Sequence, residues 1–122
     1  MAAMLTEAGL DEADGFSLNV SNFVATEESI AYGREISKRT RGAHFVIDVG
    51  RNGNGSSPAN EWCNPVGRAL GRRPTTSTGE PLVDAFLWIK PPGESDGDCN
   101  GGPPAGHWWL EYAVGLAQRA RW

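Results

Sequence analysis

The sequence predicts an α/β fold of about three parallel strands with flanking helices and long functional loops. The first observation behind this is order: helix, strand, helix, strand, loop, strand, loop, helix, the alternation expected of βα units. The second is the 16 Gly and 8 Pro, which together demand many irregular turns. The third is placement: Asn22, Asp48, Arg51, Lys90, Glu94 and Asp96 all sit at or beyond the carboxyl ends of predicted strands. In parallel α/β sheets the functional loops lie at those carboxyl ends.

Ala2 to Leu10 reads as the end of an amphipathic helix, stopped near Gly9 or Gly15, and looks like an element whose beginning is missing. Phe16 to Phe23 alternates apolar Phe16, Leu18 and Val20 with polar Ser17, Asn19 and Ser21, the period of a strand. Thr26 is placed to cap a helix over Glu27 to Arg39. Glu27 and Glu28 lie at the positive end of its dipole, and Lys38, Arg39 and Arg41 lie at the other end, before Gly42. The apolar run Ala43 to Val49 has the pattern of a buried strand. From Arg51 to Pro81 no period is evident, apart from a helical turn expected at Pro65 to Leu70. Ordered loops of this length are usually functional. Leu82 to Lys90 predicts a third strand. A second Gly/Pro-rich loop follows, and His107 to Arg121 closes the chain as a helix with Leu110, Val114 and Ala117 on its apolar face.

At 122 residues the chain is one domain or a piece of one. Its net charge of -4 argues against a nucleic-acid partner, because neutralising phosphates needs clustered Lys and Arg. No apolar run is long enough for a membrane span, and the first residues carry neither the basic nor the apolar region of a secretory signal. Two Cys and two widely separated His do not match the spacing of a zinc site. On residues alone, Cys63 and Cys99 form a disulfide or remain two thiols. The Gly50 to Gly55 stretch before Ser56-Ser57 echoes a phosphate loop, but it lacks the required Lys, which argues against a nucleotide. Asp96-Gly97, read alone, is most simply a turn.

Several stretches together say more. Asn19-Val20-Ser21-Asn22, then Val46-Ile47-Asp48 leading into Arg51-Asn52-Gly53-Asn54-Gly55, then Glu61-Trp62-Cys63, then Leu87-Trp88-Ile89-Lys90-Pro91-Pro92-Gly93-Glu94-Ser95-Asp96-Gly97 stand in order from Gly15 onward. In this arrangement the chain resembles glycoside hydrolase family 6, the cellulases. The resemblance implies a partial, distorted βα barrel, with residues 1–122 forming the C-terminal portion of one catalytic domain. It implies a secreted parent that cleaves β-1,4-glucosidic bonds of cellulose or soluble β-1,4-glucan with inversion, using no cofactor and no metal. It also implies that the general acid lies upstream of this chain, so that the chain alone is inactive. A non-catalytic glucan-binding module is the alternative.

By position, the resemblance makes Asp96 the catalytic carboxylate, acting as base or as the charge behind a water-relay base. An extra residue in Asp96-Gly97-Asp98-Cys99 leaves Asp98 as the other candidate. Arg51 becomes the supporting charge, and an opposite charge nearby keeps a carboxylate ionised. Trp62, Lys90, Glu94 and Asn22 become substrate-binding residues, and Cys63 pairs with Cys99. Each has a plainer reading: Trp62 as a loop anchor, Lys90 and Glu94 as a surface ion pair, Asp48 as a structural acceptor of loop amides. Trp88 reads as core.

Overall fold

The computed structural model describes residues 1–122. Its elements are α1 (Ala2–Glu7), β1 (Gly15–Leu18), α2 (Thr26–Lys38), β2 (His44–Asp48), β3 (Val83–Leu87) and α3 (Leu110–Gln118), with short 3-10 turns at Leu10–Glu12 and Pro58–Asn60. The strands form one parallel sheet in the order β1-β2-β3. Gly15 pairs with His44 and Leu18 with Ile47, while Asp48 pairs with Leu87 across the other ladder. All three strands therefore end at one rim. The outer edge of β3 is covered by Thr75, which exchanges two backbone hydrogen bonds with Phe86.

Leu10, Phe16, Ile36, Phe45, Ile47, Val49, Val83 and Phe86 form the core. Phe16 and Phe45 stack with ring centroids 5.1 Å apart. Helix α2 lies against β2 at Gly33, where an added Cβ would stand 2.3 Å from the Phe45 ring. Glycine is required there by close approach. Trp88 packs on this core and donates its indole N–H to Arg72 O at 2.8 Å, which agrees with the core reading.

Four sequence expectations are corrected. The first strand stops at Leu18, not Phe23, because Asn19 and Ser21 adopt left-handed backbone with φ of 60° and 62°. The Asn19 side chain stabilises that loop by bonding both backbone groups of Val24 and the carbonyl of Asp48. Thr26 does not cap α2. It is the first helical residue, and its hydroxyl oxygen accepts a hydrogen bond from Asn52 instead. Residues 65–70 make no helical turn, because their backbone is paired elsewhere: Leu70 N–H with Leu116 O, Ala69 O with Gly53 N–H, and Gly67 O with the Asn54 side chain. In α3 the face bearing Leu110, Val114 and Ala117 is exposed. Leu116 is buried, and Tyr112 donates its hydroxyl to Pro65 O, so the helix rests on the 65–70 loop by its other side.

No helix is long and apolar enough to cross a membrane.

Candidate active site

The rim is assembled by Asp48, the last residue of β2. Its carboxylate accepts hydrogen bonds from the backbone N–H groups of Ser21, Gly50 and Lys90, one in each loop that follows a strand. Asp48 is buried and bonds loop amides rather than Arg51, in agreement with its structural reading.

Three residues past β2, the Arg51 guanidinium stacks 4.1 Å from the centre of the buried Phe23 ring and donates to Ser21 O. It then grips Asp96 as a fork: Nη1 to Oδ2 and Nη2 to Oδ1, both at 2.9 Å. Lys90 donates its ammonium to Asp96 Oδ1, and the backbone N–H of Asn64 donates to Oδ2 at 2.9 Å. The side chains of Arg51 and Asp96 are only 2% and 5% exposed. Each carboxylate oxygen of Asp96 thus accepts two hydrogen bonds, at least one of them charge-assisted.

Burial acts most strongly on Asp96, pushing its carboxyl upward. The hydrogen bonds from Arg51 and Lys90, the Asn64 amide and the charge of Arg51 together outweigh it and hold the pKa below the ordinary carboxylate value. The site therefore presents a fixed negative charge at neutral pH. Nearby, burial raises Tyr112 to about 12, so its phenol stays protonated and donates to Pro65 O.

Arg51, Lys90 and Asp96 are brought together as the sequence suggests. Of the two candidate carboxylates, Asp98 is exposed and Asp96 is the one that lies in the charged cluster. Lys90 is committed to Asp96 rather than to a surface pair with Glu94. Glu94 is half-buried on the same loop and bridges through its backbone to Trp108. Trp62 is 61% exposed, which excludes the loop-anchor reading and leaves its flat face open. Asn22 is not in the charged cluster. It is exposed and lines a separate hollow with Leu18, Val24, Glu28 and Tyr32.

Cys63 and Cys99 form a disulfide with Cα atoms 6.1 Å apart, joining the loop before Asn64 to the loop after Asp96. Closing a loop with a sequence separation of 36 residues contributes roughly 3 to 4 kcal/mol by chain entropy. Sequence reasoning missed Asn64 and Phe23. Adjacency to Cys63 was the only signal for Asn64, and Phe23 carried none. No three His, Cys, Asp or Glu side chains are grouped closely enough to hold a metal ion.

A parallel sheet whose carboxyl rim presents a buried, ionised Asp on a loop pinned by Arg, with an open tryptophan on a neighbouring loop, has the form of an α/β active site. The pattern of glycosyl hydrolases family 6 matches residues 1–120, and the chain belongs to that family. It is 56% identical over 118 residues to endoglucanase A of Cellulomonas fimi, covering 97% of this chain and 26% of that protein. With endoglucanase 1 of Streptomyces halstedii the identity is 47%, over 93% of this chain and 36% of the relative. Among solved structures, the endoglucanase Cel6 of Mycobacterium tuberculosis, in complex with a methyl-cellobiosyl-4-deoxy-4-thio-β-D-cellobioside, superposes with a TM-score of 0.89 at 55% identity. That match covers 96% of this chain and 41% of the other. Endoglucanase Cel6B of Humicola insolens gives a TM-score of 0.85 at 34% identity, over 98% and 41%. The chain thus spans about a quarter to a third of these two curated relatives and less than half of the two solved chains.

Proposed function

We propose that the chain is the C-terminal portion of a family 6 catalytic domain that cleaves β-1,4-glucosidic bonds of cellulose with inversion, and that it supplies the water side of the reaction. The observation that carries this reading is Asp96, buried and ionised at the strand rim in the grip of Arg51 and Lys90. Inverting hydrolysis needs a carboxylic acid on the leaving oxygen and a negative charge on the opposite face to activate water. Asp96 supplies the charge. Each of its oxygens already accepts two hydrogen bonds, so it acts through its field on a water relay rather than as an open proton acceptor. Trp62 offers its exposed face to the C–H face of a glucose ring, and Glu94 and Lys90 offer polar contacts to sugar hydroxyls, whereas Asn22 faces its separate hollow. The general acid is supplied by the upstream part of the domain, so the chain alone does not hydrolyse cellulose. The disulfide agrees with a secreted parent, since such bonds persist in oxidising compartments.

A glucan-binding module without catalysis is the second reading, favoured by the exposure of Trp62. The test joins the chain in frame to an upstream family 6 segment. Reducing-sugar release, with the α-anomer as first product by NMR and loss of release in Asp96→Ala, is expected. A folded fusion that binds cello-oligosaccharide but releases no sugar would establish the binding module instead. Release by the unjoined chain would refute the assignment of the acid to the upstream part.

A further inference from the structure

One residue beside this site is built more carefully than a loop residue requires. Asn64 is fully buried and adopts a left-handed backbone with φ of 49°. Its backbone N–H donates to Asp96 Oδ2 at 2.9 Å, and its side-chain Oδ1 accepts from the Asp96 backbone N–H at 2.8 Å. This reciprocal pair holds Asp96 at both ends, main chain and carboxylate. The Nδ2 group of Asn64 donates into a ring of acceptors: Ser95 Oγ, Gly97 O and Cys99 O at 3.1, 2.8 and 3.1 Å. Gly102 leaves the space, since a Cβ there would stand 2.4 Å from Nδ2.

The chemistry of the position is specific to an amide. It needs an acceptor facing the Asp96 N–H and a donor facing the oxygens of residues 95, 97 and 99, on one planar group. Aspartate, of the same shape, would set an acceptor against three acceptors and add a second negative charge beside Asp96. Arg51 and Lys90 provide the counter-charge to Asp96, but both are long side chains, Arg51 reaching in from the loop after β2 and Lys90 from six residues earlier on the Asp96 loop. Asn64 is the only side chain in the cluster that fixes the Asp96 backbone. The disulfide makes the arrangement rigid by tying Cys63, the residue before Asn64, to Cys99.

We propose that Asn64 is a positioning residue for Asp96: its side-chain amide fixes the main chain, and so the direction of the carboxylate, against the Arg51 fork. The functional weight of this inference rests on Asp96 being the active-site carboxylate, as proposed above; the geometric claim does not.

The experiment is NMR on the chain with its disulfide intact. In the wild type, the Asp96 amide is expected to be strongly protected from hydrogen exchange. An Asp96 amide that exchanges as fast as the exposed loop residues overturns the proposal, whatever any variant does. In Asn64→Ala, loss of the acceptor is expected to speed that exchange about tenfold, the equivalent of one hydrogen bond. In Asn64→Asp, the carboxyl titration of Asp96 is expected to move upward, a change that loss of packing alone would not produce. If both variants keep their dispersed spectra yet leave Asp96 exchange and titration unmoved, the proposal is overturned; if either variant unfolds, the wild-type exchange decides. Adding cellotetraose separates this claim from the functional one. If Asn64→Ala speeds the Asp96 exchange but the sugar leaves the Asp96 signals untouched, the positioning stands and the active-site reading fails. If the sugar perturbs Asp96 while both variants leave it unmoved, the positioning fails alone.

Discussion

Asp96 illustrates how individual residues set the electrostatics. Its folded pKa is held below its unfolded value, so the folded state binds fewer protons than the unfolded state at acidic pH. The resulting stabilisation is present above the unfolded value, near 3.9 for a free Asp, and is lost as pH falls through the folded pKa. Arg51 is the larger of the two side-chain donors responsible. Arg51→Lys keeps the positive charge but cannot reproduce the two-point fork. The substitution is expected to cost about 1.5 to 3 kcal/mol at pH 7, the value of a hydrogen bond to a charged group. Urea unfolding at pH 7 and at pH 2.5 checks this. The difference between wild type and variant should narrow at pH 2.5, which lies below the unfolded value, because the stabilisation is lost as pH falls toward the folded pKa; an undiminished difference would assign the cost to the cation–π contact with Phe23 instead.

Among the elements, α2 shows two effects in competition. Alanine is ordinarily better than glycine inside a helix by about 1 kcal/mol. Gly33, however, faces the Phe45 ring at a distance that no real Cβ contact adopts. Overpacking a close-packed core costs about 1 to 3 kcal/mol, so the steric effect prevails. Gly33→Ala is therefore expected to lower the thermal midpoint, and a rise would mean that α2 slides on β2 to make room. The three loops after the strands form the other important unit. Asp48 gathers their amides, Arg51 and Lys90 reach from two of them to Asp96, and the disulfide ties those same two loops together.

At the scale of the whole molecule, the exposed apolar surface stands out. Leu110 and Val114 on α3 are 61% and 44% exposed, and Trp108 beside them is 60% exposed. Apolar surface gathered in one place marks an interface or a liability to aggregate. The chain is therefore expected to self-associate as its concentration rises, measured by sedimentation velocity. Replacing the pair by Leu110→Glu and Val114→Lys, spaced for an ion pair along the helix, should return it to monomer while changing stability by about 0.5 kcal/mol or less. Monomeric wild type at high concentration would count against this reading of the surface.

Local information in the sequence determined the element types, the parallel α/β class, the family and the grouping of Arg51, Lys90 and Asp96 through the motifs they share. Periodicity and turn residues act over a few positions, and the chain carries them openly: the Phe45, Ile47 and Val49 core, the acidic start of α2 and the glycine stop near Gly9 could all be read directly. Tertiary structure decided the rest. Local pattern alone does not end β1 at Leu18, because the left-handed Asn19 is stabilised by Asp48, 29 residues away, as well as by nearby Val24. Nothing local says which face of α3 is buried, since that depends on the 65–70 loop beneath it. Asn64 and Asp96 are 32 residues apart, and Arg51 and Asp96 are 45 apart. A hydrogen bond across such a distance acquires its partner only when the sheet has brought both loops to one rim, which is why the carboxylate was legible in the sequence and the amide that holds it was not.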